Sequence, residues 1–379
     1  MNFDFSEEQN MLRDSVAKYV QDDYDWDTRK AIAATDEAMK AENWQTFAEL
    51  GWLSVPFAEE FGGFGGGPVD VMVMMEELGK GLVLEPYFAT VVLFGGLLHK
   101  GSNDALKESV IPSVIEGSCL GAFAYLERQS RFELNDVLTT VTTDGEDRII
   151  NGEKVVVFNG GSASHLIVSA RSSGAQSDAE GISLYLVSAD ADGVEKTTYR
   201  LMDGQVVANI RFNNVKVPAS NAVCVEGEAA ALIQSVTEDA MLALGAEALG
   251  VMGQLNSKTV EYTKTREQFG VKISSFQALQ HRMVETFMAY EQTKSLLYRA
   301  VCDFEADKPE KRESLLALKI MIDKAGKRIY SEAIQMHGGM GITDELDIGH
   351  YAKRLMMIGT TLGDAMHHMS EFTQLRYAS

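Results

Sequence analysis

Two short runs, Leu166-Ile167-Val168-Ser169-Ala170 and Ile182-Ser183-Leu184-Tyr185-Leu186-Val187, decide how this chain is to be read. They are apolar, rich in β-branched and aromatic side chains, and too short for helices, which is the pattern of buried strands. Working outward, Thr139 to Val141, Val155 to Phe158, Val206 to Phe212 and Val215 to Val217 repeat the pattern, ending at Pro218. Asp144-Gly145 and Asn151-Gly152 flank Ile149-Ile150 and read as turns. A β domain is therefore expected over residues 119–224.

Both flanks read as helix. At the start, Met11, Leu12, Val16, Tyr19 and Val20 recur at helical spacing behind Ser6, a suitable N-cap with Gln9 three residues on. Ala41 to Leu50 and Val69 to Leu78 follow, separated by the glycine-rich Phe61 to Pro68. At the other end, Ala229 to Lys264, Ser275 to Ala306, Lys311 to His337 and Asp347 to Arg376 are long runs of good helix formers. Helices of that length imply a bundle with subunit contacts. The expected division is a helical domain over 1–118, the β domain over 119–224 and a four-helix bundle over 225–379, consistent with a length of 379 residues.

Composition restricts the partners. With 34 basic against 55 acidic residues the net charge is -21, which repels a phosphate backbone and argues against nucleic acid. An anionic ligand must then be held by local devices: helix N-termini, backbone amides and a few arginines. Cys119, Cys224 and Cys302 are widely spaced, as suits a reducing compartment. The acidic segment Met1 to Gln9 lacks the features of a signal peptide, and no apolar run reaches membrane-spanning length. The expectation is a cytoplasmic protein without an integral membrane segment.

Two segments carry candidate chemistry. Arg266-Glu267-Gln268-Phe269-Gly270 follows a long helix, so its arginine can face an anion, although for the segment taken alone a surface salt bridge is the plainer reading. Gln335-Met336-His337-Gly338-Gly339-Met340-Gly341 places three glycines after a helix, where a backbone can approach a flat or phosphorylated ligand; an ordinary C-cap and turn is the plain alternative. His337 has no second His or Cys at ligand spacing and reads as a satisfied core or cap residue, so no metal is expected.

Taken in order, Glu49-Leu50-Gly51-Trp52 with Pro56, Glu59, Phe61, Gly62 and Gly63, then Asn151-Gly152-Glu153-Lys154, Arg266 to Gly270 and Gln335 to Gly341 resemble the acyl-CoA dehydrogenase family over nearly the whole chain. Gly245-Ala246-Glu247-Ala248-Leu249-Gly250 and Leu362-Gly363-Asp364 are similar to a bacterial branch that includes pimeloyl-CoA dehydrogenase small subunits and steroid side-chain dehydrogenases. The resemblance implies an α+β multi-domain fold: an N-terminal helical domain, a β-barrel-like middle and a C-terminal bundle. It further implies FAD as cofactor, an acyl-CoA substrate oxidised to the trans-2-enoyl-CoA, and an electron-transfer flavoprotein as acceptor. The assembly it implies is a homotetramer or an α2β2 heterotetramer, in which a neighbouring subunit completes the FAD site.

On the same basis Arg266, Phe269, Phe276 and Gln277 contact FAD from one subunit and Gln335, Gly338 and Gly339 from another, while Leu126 and Phe158 stand at flavin positions of the β domain. The reaction needs a carboxylate to take the α-proton of the thioester. The usual family glutamate, in a Tyr-Glu-Gly-Thr segment, aligns with Gly359 of Ile358-Gly359-Thr360-Thr361, and the alternative position on the first long C-terminal helix aligns with Ala240. Glu247, two turns from Ala240 in an apolar stretch, is the preferred base, with a buried ion pair as its structural alternative. Glu238 and Asp239 are expected in solvent. The family's Thr-Glu-Pro segment reads Leu126-Glu127-Arg128 here, its flavin-side Trp and Thr align with Val156 and Phe158, and an arginine near the thioester aligns with Met241. These departures leave two rivals open: a non-catalytic subunit completing a partner's FAD site, and an oxygen-using relative such as an oxidase or monooxygenase.

Overall fold

The computed structural model describes residues 5–377; Met1 to Asp4 of the acidic N-terminal segment, and Ala378 and Ser379, lie outside the described residues. In chain order the N-terminal helices are α1 (Glu7–Asp22), α2 (Trp26–Ala33), α3 (Ala41–Glu49), α4 (Pro68–Gly81), a π-helical turn (Phe88–Gly95) that runs into α5 (Gly96–Lys100), and α6 (Asp104–Ile115). Seven strands follow: β1 (Gly121–Ala124), β2 (Thr140–Asp144), β3 (Asp147–Phe158), β4 (His165–Arg171), β5 (Ile182–Ser188), β6 (Val194–Arg200) and β7 (Val206–Pro218). Then come α7 (Ala229–Thr265), a hairpin of β8 (Glu267–Gln268) and β9 (Val271–Lys272), α8 (Gln277–Glu305), α9 (Lys311–His337), α10 (Ile348–Thr360) and α11 (Ala365–Tyr377). The order helical, β, helical read from the sequence holds.

The chain divides into two compact units. The first gathers the chain up to Lys30, Gly67–Val83 and everything from Met241 onward; the second gathers Ala31–Gly66 and Leu84–Ala240.

In the first unit, α1 opens as its spacing predicts: the Ser6 hydroxyl accepts from the Gln9 amide while the Gln9 side chain accepts from Ser6, a closed capping box. Helices α4 and α7 cross at glycines. A Cβ on Gly79 would stand 2.4 Å from the Glu247 carbonyl oxygen, and one on Gly250 2.0 Å from that of Glu76, so the two backbones touch only because both side chains are absent. The C-terminal region holds five helices rather than four. Leu362 (φ 58°) and Gly363 (φ 112°) turn left-handed and break the run expected over Asp347 to Arg376 into α10 and α11.

In the second unit, the sheet runs β1-β4-β2-β3-β7-β6, with β5 branching off as an antiparallel partner of β4. Its core is Ile150, Leu166, Tyr185, Val187, Ile210 and Phe212, each almost fully buried. Strands β3 and β7 form the long antiparallel pair, interrupted by irregularities at Ile150/Gly152 and Lys154/Val157. Asn151-Gly152 therefore lies within β3, with Asn151 opposite the extra residue of a bulge in β7 at Asn213-Asn214, and is not the turn its composition suggested. A Cβ at Gly152 would meet Thr139 Oγ1 at 2.5 Å, so glycine is required by packing rather than by reversal of the chain.

Candidate functional site

In the first unit, α7 ends at Thr265 and the chain reverses through β8 and β9. Phe269 (φ 57°) and Gly270 (φ 80°) are the two central residues, both left-handed, as a two-residue hairpin demands. Glycine or asparagine suits such a position; a phenylalanine there costs about 1–2 kcal/mol of backbone strain. This Phe269 is also 92% exposed and meets Phe276 edge-to-face at 6.3 Å. Phe276 is the cap of α8 and Gln277 its first residue, so unpaired helix amides open beside the two rings. Arg266 is exposed, and among the described residues its side chain has no hydrogen bond or ion pair, unlike the surface bridge weighed against it. Strain, exposure and an uncommitted cation meet here, which no need of the chain's own fold explains.

At the end of α9, Gly338 turns left-handed (φ 61°) and its amide donates to the Gln335 and Ile334 carbonyls. A Cβ on Gly338 or Gly339 would meet nothing within 4 Å. For Gly339, whose φ is not left-handed, neither turn nor packing calls for glycine, which leaves close approach from outside as its use. Gln335 is exposed on the same last turn. His337 is the satisfied cap residue the sequence allowed: it is buried, its ring Nδ1 lies 2.8 Å from the Ala333 carbonyl, and burial lowers its pKa. Its ring stacks on Tyr262 at 4.3 Å. Since Tyr262 lies one turn before Arg266, this stack brings the Arg266 and Gln335 segments together within the first unit.

Glu247 is buried and receives Arg354 bidentately, Nε to Oε1 at 2.5 Å and Nη2 to Oε2 at 2.7 Å. That is the geometry of the ion pair weighed against a catalytic role. Both carboxylate oxygens are thereby committed to the guanidinium. The glycines of Gly245 to Gly250 are explained by packing: the crossing with α4 at Gly250 and the Leu318 side chain, 2.9 Å from a Cβ on Gly245. Gly359 sits in the last turn of α10 with Asp323 Oδ1 3.1 Å from where its Cβ would be. Beneath that turn, fully buried Lys319 donates to the Ile358 and Thr361 carbonyls at 3.0 and 2.8 Å, and burial brings its pKa down to about 7.

In the second unit, Glu238 is buried and accepts from Gln234 at 3.0 Å, and half-buried Asp239 pairs with Lys100, so neither stands free in solvent as expected. Ala240 is fully buried. Leu126 is half-buried past the end of β1, and its carbonyl accepts from the Val155 amide at 2.8 Å. Phe158 stands edge-to-face on Phe88 at 6.1 Å and lines, with Met39, Leu84, Ala89 and Val206, a shallow open cleft. The strand end beside it is strained: Val156 (φ 52°) and Asn159 (φ 57°) are left-handed, an outlier for a β-branched residue. The π-helical turn that supplies Phe88 and Ala89 was not legible as such, because periodicity cannot separate it from an α-helix.

The lysine of Asn151-Gly152-Glu153-Lys154 proves to be a core residue. Its Nζ, fully buried, donates to Glu127 Oε1 at 2.8 Å, Ser169 Oγ at 2.9 Å and the Tyr125 carbonyl at 3.2 Å. Glu127 in turn accepts from the Leu138 and Thr139 amides. Burial pushes the Glu127 carboxyl up, but the Lys154 ammonium and these bonds outweigh it and hold the pKa at about 2. Burial lowers Lys154 itself to about 8.

Exposed rings on a strained hairpin, an uncommitted arginine, free helix amides and a glycine pair open to solvent fit an extended anionic ligand with flat ring systems. Comparison with known proteins gives that fit a family. Residues 6–118 match the acyl-CoA dehydrogenase N-terminal domain, 122–215 its middle domain and 230–368 its C-terminal domain. The chain belongs to the acyl-CoA dehydrogenase family. It is thereby an FAD-dependent oxidoreductase. A probable acyl-CoA dehydrogenase of Bacillus subtilis, YngJ, is 28% identical, covering 95% of this chain and 96% of its own. A variant of the Tcur3481-Tcur3483 steroid ACAD is 26% identical with a TM-score of 0.87, covering 97% of each chain. A chain from the electron transferring flavoprotein study of Acidaminococcus fermentans superposes with a TM-score of 0.92 over the whole of both chains at 24% identity, which speaks for the fold alone. Among the described residues no helix is long and apolar enough to cross a membrane.

Proposed function

We propose that this member of the family oxidises an acyl-CoA thioester to the trans-2-enoyl-CoA and passes the electrons to an electron-transfer flavoprotein. FAD, when bound, supplies the acceptor for the β-hydrogen as hydride. On the family resemblance, Arg266 and Phe269 would meet its pyrophosphate and adenine from one subunit, with Phe276 and Gln277 nearby, Gln335, Gly338 and Gly339 would contact it from another subunit, and Leu126 and Phe158 stand at flavin positions. The observation that carries the reading is Phe269, held exposed and strained beside an unpaired arginine. An apolar strip on α8, Val284, Phe287 and Met288, each more than half exposed at i, i+3 and i+4 spacing, supports assembly into a homotetramer or an α2β2 heterotetramer. Three free cysteines support a cytoplasmic setting.

A second reading is favoured by Glu247 and Gly359 together. With Glu247 engaged by Arg354 and no side chain at Gly359, proton abstraction has no evident owner on α7 or α10. On this reading the chain is a partner subunit that helps to hold FAD in a second, catalytic chain. Anaerobic titration of the purified chain with a panel of acyl-CoAs separates the two: bleaching of bound flavin establishes a self-sufficient dehydrogenase, and flavin that no thioester reduces establishes the partner role.

A further inference from the structure

His367 and His368 open α11, and Glu371 follows four and three residues later, so all three lie over one turn of the helix. Glu371 Oε2 is 3.3 Å from His368 Nδ1 and 3.6 Å from His367 Nε2, and the three candidate ligand atoms lie within 4.8 Å of one another. An ion bound tetrahedrally by nitrogen and oxygen at about 2.0–2.1 Å has ligand atoms about 3.3–3.4 Å apart. The other carboxylate oxygen, Oε1, is already taken by Arg312 Nη2 from α9 at 2.9 Å, which turns Oε2 toward both imidazoles. Such outer-shell orientation is what metal carboxylates need.

The backbone is shaped around the two rings. A Cβ on Gly363 would stand 2.3 Å from His368 Nε2 and 3.0 Å from His367 Cδ2, so glycine is required for both imidazoles to enter. Asp364 caps the helix by accepting from the His367 amide at 2.8 Å. The His368 side chain is only 2% exposed, and among the described residues its Nε2 has no hydrogen-bond partner. One hydrogen bond of 3.3 Å to Glu371 is thin compensation for burying that ring.

We propose that His367, His368 and Glu371 form a three-ligand site for a divalent first-row metal ion such as zinc, with a fourth position for water. The ion would tie the start of α11 to α9 through Arg312. Lys319 points its ammonium at the Ile358 and Thr361 carbonyls, leaving the ligand side of Glu371 to the histidines.

The test uses the full chain with its flavin, stripped by a chelator and titrated with cobalt(II), then with competing zinc. One equivalent of cobalt per chain with tetrahedral d–d bands, displaced by zinc, is the expected result. In His367→Ala, at the half-exposed edge, affinity should fall more than about 100-fold, beyond the 10–100-fold typical of outer-shell partners. Glu371→Gln keeps the shape and should lose the bands too. Absence of bands in the unaltered chain, or bands that survive both substitutions, would overturn the proposal.

Discussion

Arg354 on α10 reaches both oxygens of Glu247 on α7, and both side chains are buried. A pair of this kind contributes little beyond what an apolar pair would, yet breaking it leaves one charge stranded. Glu247→Gln should therefore destabilise the chain by about 3–5 kcal/mol, read from the urea midpoint at constant slope. The double variant Glu247→Leu with Arg354→Met should recover most of that loss. If instead Glu247→Gln left stability intact and abolished flavin reduction, the carboxylate would regain its claim as the base.

The glycine crossing of α4 and α7 allows a sharper comparison. Gly250→Ala must push a methyl into the Glu76 carbonyl, 2.0 Å away, and should cost several kcal/mol because two backbones have to part. Gly253→Ala, three residues on, meets only the Tyr290 ring at 3.4 Å. There the helical preference for alanine prevails, and stability should rise by roughly 0.5–1 kcal/mol. Thermal midpoints of the two variants, moving in opposite directions, check this.

These residues show what the sequence could express. The helical and β segments were legible because their periodicity is a property of each segment alone, and α9 was readable to the residue. Asn151-Gly152 misled because a glycine needed for packing against Thr139 inside a strand looks, in sequence, like the glycine of a turn. Glu247 in an apolar stretch correctly signalled a buried carboxylate, but its partner Arg354 lies 107 residues away, so ion pair and base could not be separated. Lys154 carried no sign of burial at all, since its compensation by Tyr125, Glu127 and Ser169 comes from residues 29, 27 and 15 positions away. The His367, His368 and Glu371 grouping is present in the sequence only as a helical spacing, and the sequence does not show that the three side chains converge.

The Glu127–Lys154 pair predicts the pH dependence of stability. Glu127 drops from 4.5 in the unfolded chain to about 2 when folded, so its contribution is complete above pH 4.5 and is lost as the pH falls toward 2. Lys154 drops from 10.5 to about 8, so the folded state holds that proton less firmly, and stability gains as the pH rises from 8 toward 10.5. In Lys154→Met the carboxylate loses its ammonium while its burial remains, so it titrates higher than in the unaltered chain. Urea midpoints measured from acid to neutral pH should begin to fall at a higher pH in the variant than in the unaltered chain; coincident curves would show that the two groups are not coupled.

Phe269 sets local stability against ligand binding in one residue. Its left-handed backbone costs about 1–2 kcal/mol, and its ring, 92% exposed, recovers almost nothing from the chain's own packing. Phe269→Gly removes the strain at a position whose φ of 57° glycine adopts freely. The flavin-free protein should accordingly keep or gain stability, by up to about 1 kcal/mol. The same change removes the ring that, with Phe276, would cover a flat group of the cofactor, where aromatic contacts contribute about 0.5–1.5 kcal/mol beyond their burial. Flavin should then dissociate on the order of tenfold more readily, as 1.4 kcal/mol is a factor of ten. Thermal melting of the flavin-free form and the flavin-to-protein ratio after gel filtration read the two effects separately. A variant that loses stability but keeps its flavin would mean that the ring serves the fold of the hairpin, and that its exposure is covered by something other than the cofactor.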